Sequence, residues 1–270
     1  EFSRWIYSRV SKEHARKVIS YLDRFAGNKL ISTPKDVFEI KSRATSQKYI
    51  VVALRNLLNF AEEMDLLDEV RITKMRKVLK VIHSNPDNFI PSTETVKSVW
   101  GEIDNPDFKL LFEILACSGL RIIEAVQFLK NFEKDKLEYK DNFARYPLFS
   151  IRHTKKVYYA YLPFSVAEKL KRTNIPMRSF KYYMGKLNLP AKYLRKWNYN
   201  FLIMHNVPES VADFIQGRAS ISIGSMHYLA KVKQADFWYS KVANELISIF
   251  RENQESIPTG KTAIAEAKTI

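Results

Sequence analysis

The stretch LRKWNYNFLIMHNVPESVADFIQGRASISIGSMHY, residues 194 to 228, sets Arg195, Arg218 and Tyr228 at intervals within a basic chain, with Gly217 directly before the second arginine. An arginine fork matches the non-bridging oxygens of a phosphate, so it can neutralise the charge that builds up during phosphoryl transfer. A tyrosine hydroxyl is a weak nucleophile until nearby cations stabilise its phenolate. It can then form a covalent phosphotyrosine that stores the energy of the broken phosphodiester bond. Arg121, Arg195 and Arg218 are the candidate clamp and Tyr228 the candidate nucleophile. The leaving 5′-oxygen needs a proton, and a lysine beside arginines has reason to lower its pKa and donate one. Lys155 is the candidate donor, and Lys156 in the same turn is the alternative.

Composition says which partner such chemistry would meet. The 270 residues carry 44 Lys and Arg against 29 Asp and Glu, a net charge of +15, which favours a polyanion and above all nucleic acid. Hydrophobic residues make up 46% of the chain, enough for a sizeable core and for two domains. No apolar run approaches a membrane span, so no membrane partner is expected. The single cysteine, Cys117, excludes an internal disulfide framework and Cys-based zinc sites, which fits an intracellular location and a buried core role. No Gly-rich phosphate loop, HExxH or CxxC is present and carboxylates do not cluster. The expectation is a reaction without metal or other cofactor. The opening residues EFSRWIYSRV have neither an initiator Met nor an apolar leader, which leaves open that the natural N-terminus lies upstream.

The elements that must position these side chains are mostly helical. Residues 1 to about 84 read as a small helical bundle, with Val10, Val18, Ile19, Leu22 and Phe25, then Val52, Leu54, Leu57 and Phe60, near helical spacing. SNPDNFIPSTETV reads as a linker, which puts a boundary near Pro91. PDFKLLFEILACSG is an apolar helix capped by Gly119, and helix restarts at once in LRIIEAVQF, with Arg121 at the restart. PLFSIRHTKKVYYAYLPF predicts two short strands turned at His153 to Lys156. Ser165 and Glu168 form a capping-box pattern that predicts helix over SVAEKLKR, and further helices continue to about Arg251. The expected division is 1–90 helical, 91–251 mixed but mostly helical with a short β-hairpin, and 252–270 a flexible tail.

With the motifs in view, a resemblance becomes specific. ACSGLRIIEA, residues 116–125, resembles the Gly-Leu-Arg-x-x-Glu segment of the tyrosine recombinases, with Arg121 as the first catalytic arginine and Glu124 its neighbouring carboxylate. KYLR, residues 192–195, takes the place of the family's His-x-x-Arg, and its two cations, three apart, share one helix face. QGRASISIGSMHY resembles the Leu-Gly-His stretch that leads to the nucleophile, and counting back from Pro163 in the hairpin's Val-Pro-like end reaches Lys155. Lys192 replaces a usual His, Arg218 replaces a second His or Trp, and Tyr228 follows Arg218 by ten residues instead of nine. These departures are similar to those of integrases of archaeal spindle-shaped viruses and related plasmids.

The resemblance covers about 93–250. It implies a mainly α fold, a core-binding domain followed by a catalytic domain with a small sheet, and site-specific DNA recombination through a 3′-phosphotyrosine and a Holliday junction. It also implies double-stranded attachment sites as partner, a homo-tetramer on paired sites from a free monomer or dimer, and action in the host cytoplasm at the nucleoid. A type IB topoisomerase-like relaxing enzyme and an inactive DNA-binding relative remain the alternatives. Each assignment competes with an ordinary one. Arg121 alone reads as a helix-start charge, Lys155 as a hairpin charge, and Tyr239, the rival tyrosine, as a packing residue in ADFWYSKVANELISIF. That last helix, with Phe237, Val242, Leu246 and Phe250 on one side, either completes the core or docks on a neighbouring protomer.

Overall fold

The computed structural model describes residues 1–80, 85, 87–152, 155–218 and 225–251, with side chains described in these ranges except at 150–152, 155–156 and 225–229. The fold is mainly α with one small antiparallel sheet. Two compact units divide it, Glu1–Asp87 and Asn88–Ile270.

The first unit consists of α1 (Phe2–Arg9), α2 (Lys12–Phe25), α3 (Pro34–Arg43), α4 (Gln47–Glu63) and α5 (Glu69–Val78). Local chemistry starts these helices: Ser11 accepts from the His14 N–H, Asp68 accepts from the Arg71 N–H, and Thr33 and Asp36 form a reciprocal capping box. Ile6, Val18, Ile40, Ile50, Leu54, Ile72 and Met75 are buried together. The basic side chains are left to the outer faces.

The second unit is organised by α7 (Pro106–Ser118), which follows α6 (Thr93–Gly101) and is buried without a break from Leu110 to Ser118. A helix apolar on every side has no solvent face and must be surrounded. α8 (Ile122–Lys130) follows immediately, then a short 3-10 turn at Lys134–Lys136 and the sheet, ordered β1 (Glu138–Tyr139), β2 (Phe143–Arg152), β3 (Lys155–Pro163). After it come α9 (Phe164–Ala167), α10 (Met177–Lys186), α11 (Lys192–Met204), α12 (Glu209–Ile215) and α13 (Ser225–Ser248).

The expected hairpin is present, but longer. β2 begins at Phe143, ahead of Pro147, and β1 adds a third strand. Pro147 pairs with Tyr159 and a register shift follows at once, between Pro147 and Ser150, the kind of irregularity at which a strand tolerates proline. Lys155 is the first residue of β3 and pairs with Arg152, not a residue of the turn. His153 and Thr154 lie outside the described residues.

The helix expected over SVAEKLKR forms only over its first residues. α9 stops at Ala167, and the Ser165 hydroxyl is buried with no hydrogen-bond partner. Tertiary contacts hold the following segment in another course: the Thr173 N–H donates to the Leu129 carbonyl, Arg172 Nε donates to the Lys130 carbonyl, and Lys169 pairs with buried Glu113. One capping pattern is worth about 1 kcal/mol, too little to outweigh them.

α13 closes the core, with Val242, Leu246 and, just past its end, Phe250 buried and Phe237 turned outward. Its anchor is Tyr239, fully buried against Phe143 and Tyr161, with its hydroxyl donating to the Cys117 carbonyl at 3.1 Å. Arg145 of β2 adds a 2.6 Å ion pair to Asp236 of α13.

α7 ends at Gly119 in the left-handed conformation, φ 62. A Cβ there would lie 2.3 Å from Gln216 Nε2 and 2.4 Å from Asn198 Oδ1, both on fully buried side chains. Gly119→Ala therefore combines backbone strain with overlap that buried amides cannot relieve, and should cost at least about 2 kcal/mol in urea unfolding. A loss under about 0.5 kcal/mol, the level of an ordinary surface change, would show that the amides move aside.

Candidate functional site

Three helix ends build the site. At the first, Arg121 occupies the N-cap of α8. Its N–H donates to Glu124 Oε2 and its Nη1 to Glu124 Oε1, each at 2.8 Å, so one buried carboxylate sets both the backbone turn and the guanidinium.

The second is the start of α11. Lys192 and Arg195 stand one turn apart, and the apolar residues Leu194, Trp197, Phe201 and Leu202 bury the opposite face. Arg195 Nη1 donates to the Gly119 carbonyl at 2.6 Å, which brings the arginine beside Arg121. Lys192 lies over the Tyr193 ring at 4.5 Å.

The third is the C-terminus of α12. Gly217 has φ 63, its N–H donates to Phe214 O at 3.1 Å, and the Arg218 N–H donates to Asp213 O at 2.7 Å. These two bonds are a Schellman ending, and its left-handed position explains why glycine must precede Arg218. The chain reverses there, and Arg218 Nε donates to Gln216 Oε1 at 3.0 Å while its guanidinium stacks 4.3 Å over Tyr199.

A cavity of about 470 Å³ opens between the first two of these ends and α10, lined by Leu120, Arg121, Ile122, Lys181, Pro190, Ala191, Lys192 and Arg195. Four of the lining side chains are cations and none is a carboxylate. The electrostatic cost falls on Arg195: burial first, then the positive charges of Arg121 and Arg218, hold its guanidinium down to about 9. A cation so placed gains from any anion brought into the cavity. Nearby Tyr199, whose hydroxyl donates to Glu209, is pushed up to about 12 by burial and by Asp213 and Glu209, which keeps it a neutral stacking platform for Arg218.

Arg121, Arg195 and Arg218 are thus gathered in one region, with Lys192 on the cavity wall. Lys155 and Tyr228 are located by backbone only, at the start of β3 and in the first turn of α13; their side chains, and that of Lys156, lie outside the described residues. The rival Tyr239 is packed, and burial drives its pKa far above the ordinary tyrosine range. Among the described residues no group of three or more His, Cys, Asp or Glu could hold a metal ion. No described helix is long and apolar enough to cross a membrane.

Sequence reasoning missed Lys181, Asn198 and Gln216. Lys181 comes from α10, which no motif marks. The two amides stand among mostly apolar residues, in NYNFLIM and DFIQG, and that is the signal that could have found them.

Residues 88–245 match the family model described as archaeal phage integrase. The chain belongs to this family. It is a tyrosine recombinase of the phage-integrase type, as ACSGLRIIEA and QGRASISIGSMHY suggested, and all six candidate residues fall within the matched stretch. No curated protein matches the sequence. Among solved structures, the integrase from mycobacterium phage Brujita is similar at TM-score 0.45 and 12% identity, covering 93% of this chain and 96% of that one. The XerH site-specific recombinase, in a pre-cleavage complex with its difH substrate, is similar at TM-score 0.47 and 15% identity, covering 89% of this chain and 79% of that one.

The lowered Arg195 value fixes a sign. The group is charged below about 9 and loses charge as pH rises through it. Below that pH the charged form costs the empty protein stability, and a bound anion raises the pKa again. Sulfate, whose charge is constant in this range, should therefore bind with constant affinity from pH 6 to 8.5 and weaken by up to about tenfold per pH unit above 9. Isothermal titration at fixed ionic strength checks this, with Arg195→Ala as the control in which the step disappears.

Proposed function

We propose that this chain is a site-specific DNA recombinase, an integrase that cuts and rejoins duplex DNA one strand at a time. What carries this reading is the gathering of Arg121, Arg195 and Arg218 beside a cavity without carboxylates, in a chain of the archaeal phage integrase family. A charge-relieving anion is what such a cluster lacks, and the scissile phosphate is one.

In this reading the arginines hold the non-bridging oxygens and stabilise charge as five-coordinate phosphorus forms. Lys192 adds positive charge at the cavity wall. The Tyr228 phenolate attacks phosphorus, the bond to the 5′-oxygen breaks, and Lys155, or its neighbour Lys156, gives that oxygen a proton. The product is a 3′-phosphotyrosine and a free 5′-hydroxyl. One phosphoester replaces another, so a 5′-hydroxyl from a second duplex can reverse the step, and two exchanges pass through a Holliday junction. The bond energy is conserved throughout, and the chemistry calls for no cofactor. The role of Arg218 is to stabilise charge, and no proton transfer is assigned to it.

The partners are double-stranded attachment sites, with the net charge of +15 steering encounter and a homo-tetramer forming on paired sites. The helical first unit supplies additional phosphate contacts and acts as the core-binding domain.

Incubation with pooled genomic DNA in EDTA, followed by SDS denaturation and sequencing of covalently held DNA, tests the reading. Wild type should give adducts at a few sites and Tyr228→Phe none. Scattered adducts would favour a relaxing enzyme, and tight binding without adducts an inactive binder. Arg195→Ala should bind the same sites and lose about 10²–10³-fold in single-turnover cleavage, the scale of one lost oxyanion contact.

A further inference from the structure

Gln216 is the most completely used polar side chain near the arginines. It is fully buried, and both ends of its amide are engaged. Nε2 donates to the Arg195 carbonyl at 3.0 Å and to Asn198 Oδ1 at 2.6 Å, and Oε1 accepts from Arg218 Nε at 3.0 Å. The amide's orientation is not arbitrary. A backbone carbonyl can only accept and an arginine Nε can only donate, so only one orientation satisfies both partners. Asn198 is then fixed in turn, with Nδ2 donating to the carbonyls of Ala116 and Cys117 at 2.8 and 3.1 Å. One line of hydrogen bonds therefore runs from the end of α7, through α11, to the residue after α12.

Resting on the recombinase reading, we infer that Gln216 is a positioning residue. It fixes the Arg218 guanidinium relative to Arg195, so that the two address one phosphodiester without having to be assembled when DNA binds. Arg218 is otherwise a surface side chain on a helix-ending turn whose guanidinium rests on the Tyr199 ring, a contact that sets its plane but not its direction toward Arg195. Between the two arginines, which repel each other, a neutral amide is the suitable brace. A carboxylate could hold Arg218, but would neutralise the charge that the phosphate requires and could donate to neither Arg195 O nor Asn198 Oδ1.

The test uses the full chain and two variants, Gln216→Met, which keeps the volume and removes the amide, and Gln216→Glu, which keeps an acceptor for Arg218 and removes both donors. Cleavage is followed in single turnover at saturating DNA, below the melting temperature of each variant, alongside DNA affinity. Gln216→Met should lower the cleavage rate about tenfold while Kd stays within about twofold, and should have no further effect in an Arg218→Ala background. Gln216→Glu should be slower still. An equal fall in both backgrounds would overturn the inference, because a merely structural role acts whether or not Arg218 is present.

A second readout needs no recombinase chemistry: the Arg218 Nε–H resonance, assigned by its loss in Arg218→Ala. It should exchange slowly in the wild type and shift to fast exchange in Gln216→Met; an unchanged resonance would overturn the positioning role. If the wild type forms no adduct, the recombinase reading fails, and this measurement still decides whether Gln216 holds Arg218.

Discussion

The site depends on a close approach at Gly119. α7 ends there in a left-handed turn, and the space a side chain would fill holds the amides of Gln216 and Asn198. Because nothing projects from Gly119, α11 can lie close enough for Arg195 to reach the Gly119 carbonyl, and α12 can end beside both. The glycine serves three helices at once. It ends the first, exposes the carbonyl that seats Arg195, and leaves room for the amides that tie the second to the third.

That approach creates an electrostatic problem and half solves it. Arg121, Arg195 and Arg218 repel one another, and burial makes Arg195 the most strained of the three. Each is given a different neutral or compensating support: a buried carboxylate for Arg121, a backbone carbonyl for Arg195, an amide and a ring face for Arg218. Among the described contacts of the three, only that of Arg121 is an ion pair. The remaining positive potential faces a cavity that Lys181 and Lys192 also line and whose other walls are apolar, so it is screened less than at an open surface. The protein holds its arginines in place while leaving their charge to be satisfied from outside.

The sheet and α13 contribute by anchoring. Tyr239 reaches through the core to the Cys117 carbonyl, two residues before Gly119, and Arg145 clasps Asp236. The helix that carries Tyr228 in its first turn is therefore fixed, three turns later, to the same end of α7 that seats the arginines. Tyr239 was the rival nucleophile by composition alone; burial makes it the anchor.

Much of this was legible in the sequence, because its causes are local. Helical periodicity marked α2 and α4, an apolar run marked α7, Gly119 marked its end, since left-handed backbone favours glycine, and ACSGLRIIEA and KYLR marked the family and three of its cations. Elements whose fate depended on distant partners were not legible. β2 runs through Pro147 because a register shift absorbs it, and the helix after Ser165 yields to contacts with α8 and Glu113. Lys181 reaches the cavity beside Arg121, and Gln216 and Asn198 come together under Gly119, only because their helices pack against α7 and α8, which lie far back in the chain. By itself the sequence determined the helices, the family and the order of the candidate residues, since periodicity, turn chemistry and motif spacing are encoded over a few residues. Only the tertiary structure decided which polar groups share the buried space at Gly119, because hydrogen-bond partners there are chosen by three-dimensional proximity between residues 80 or more positions apart.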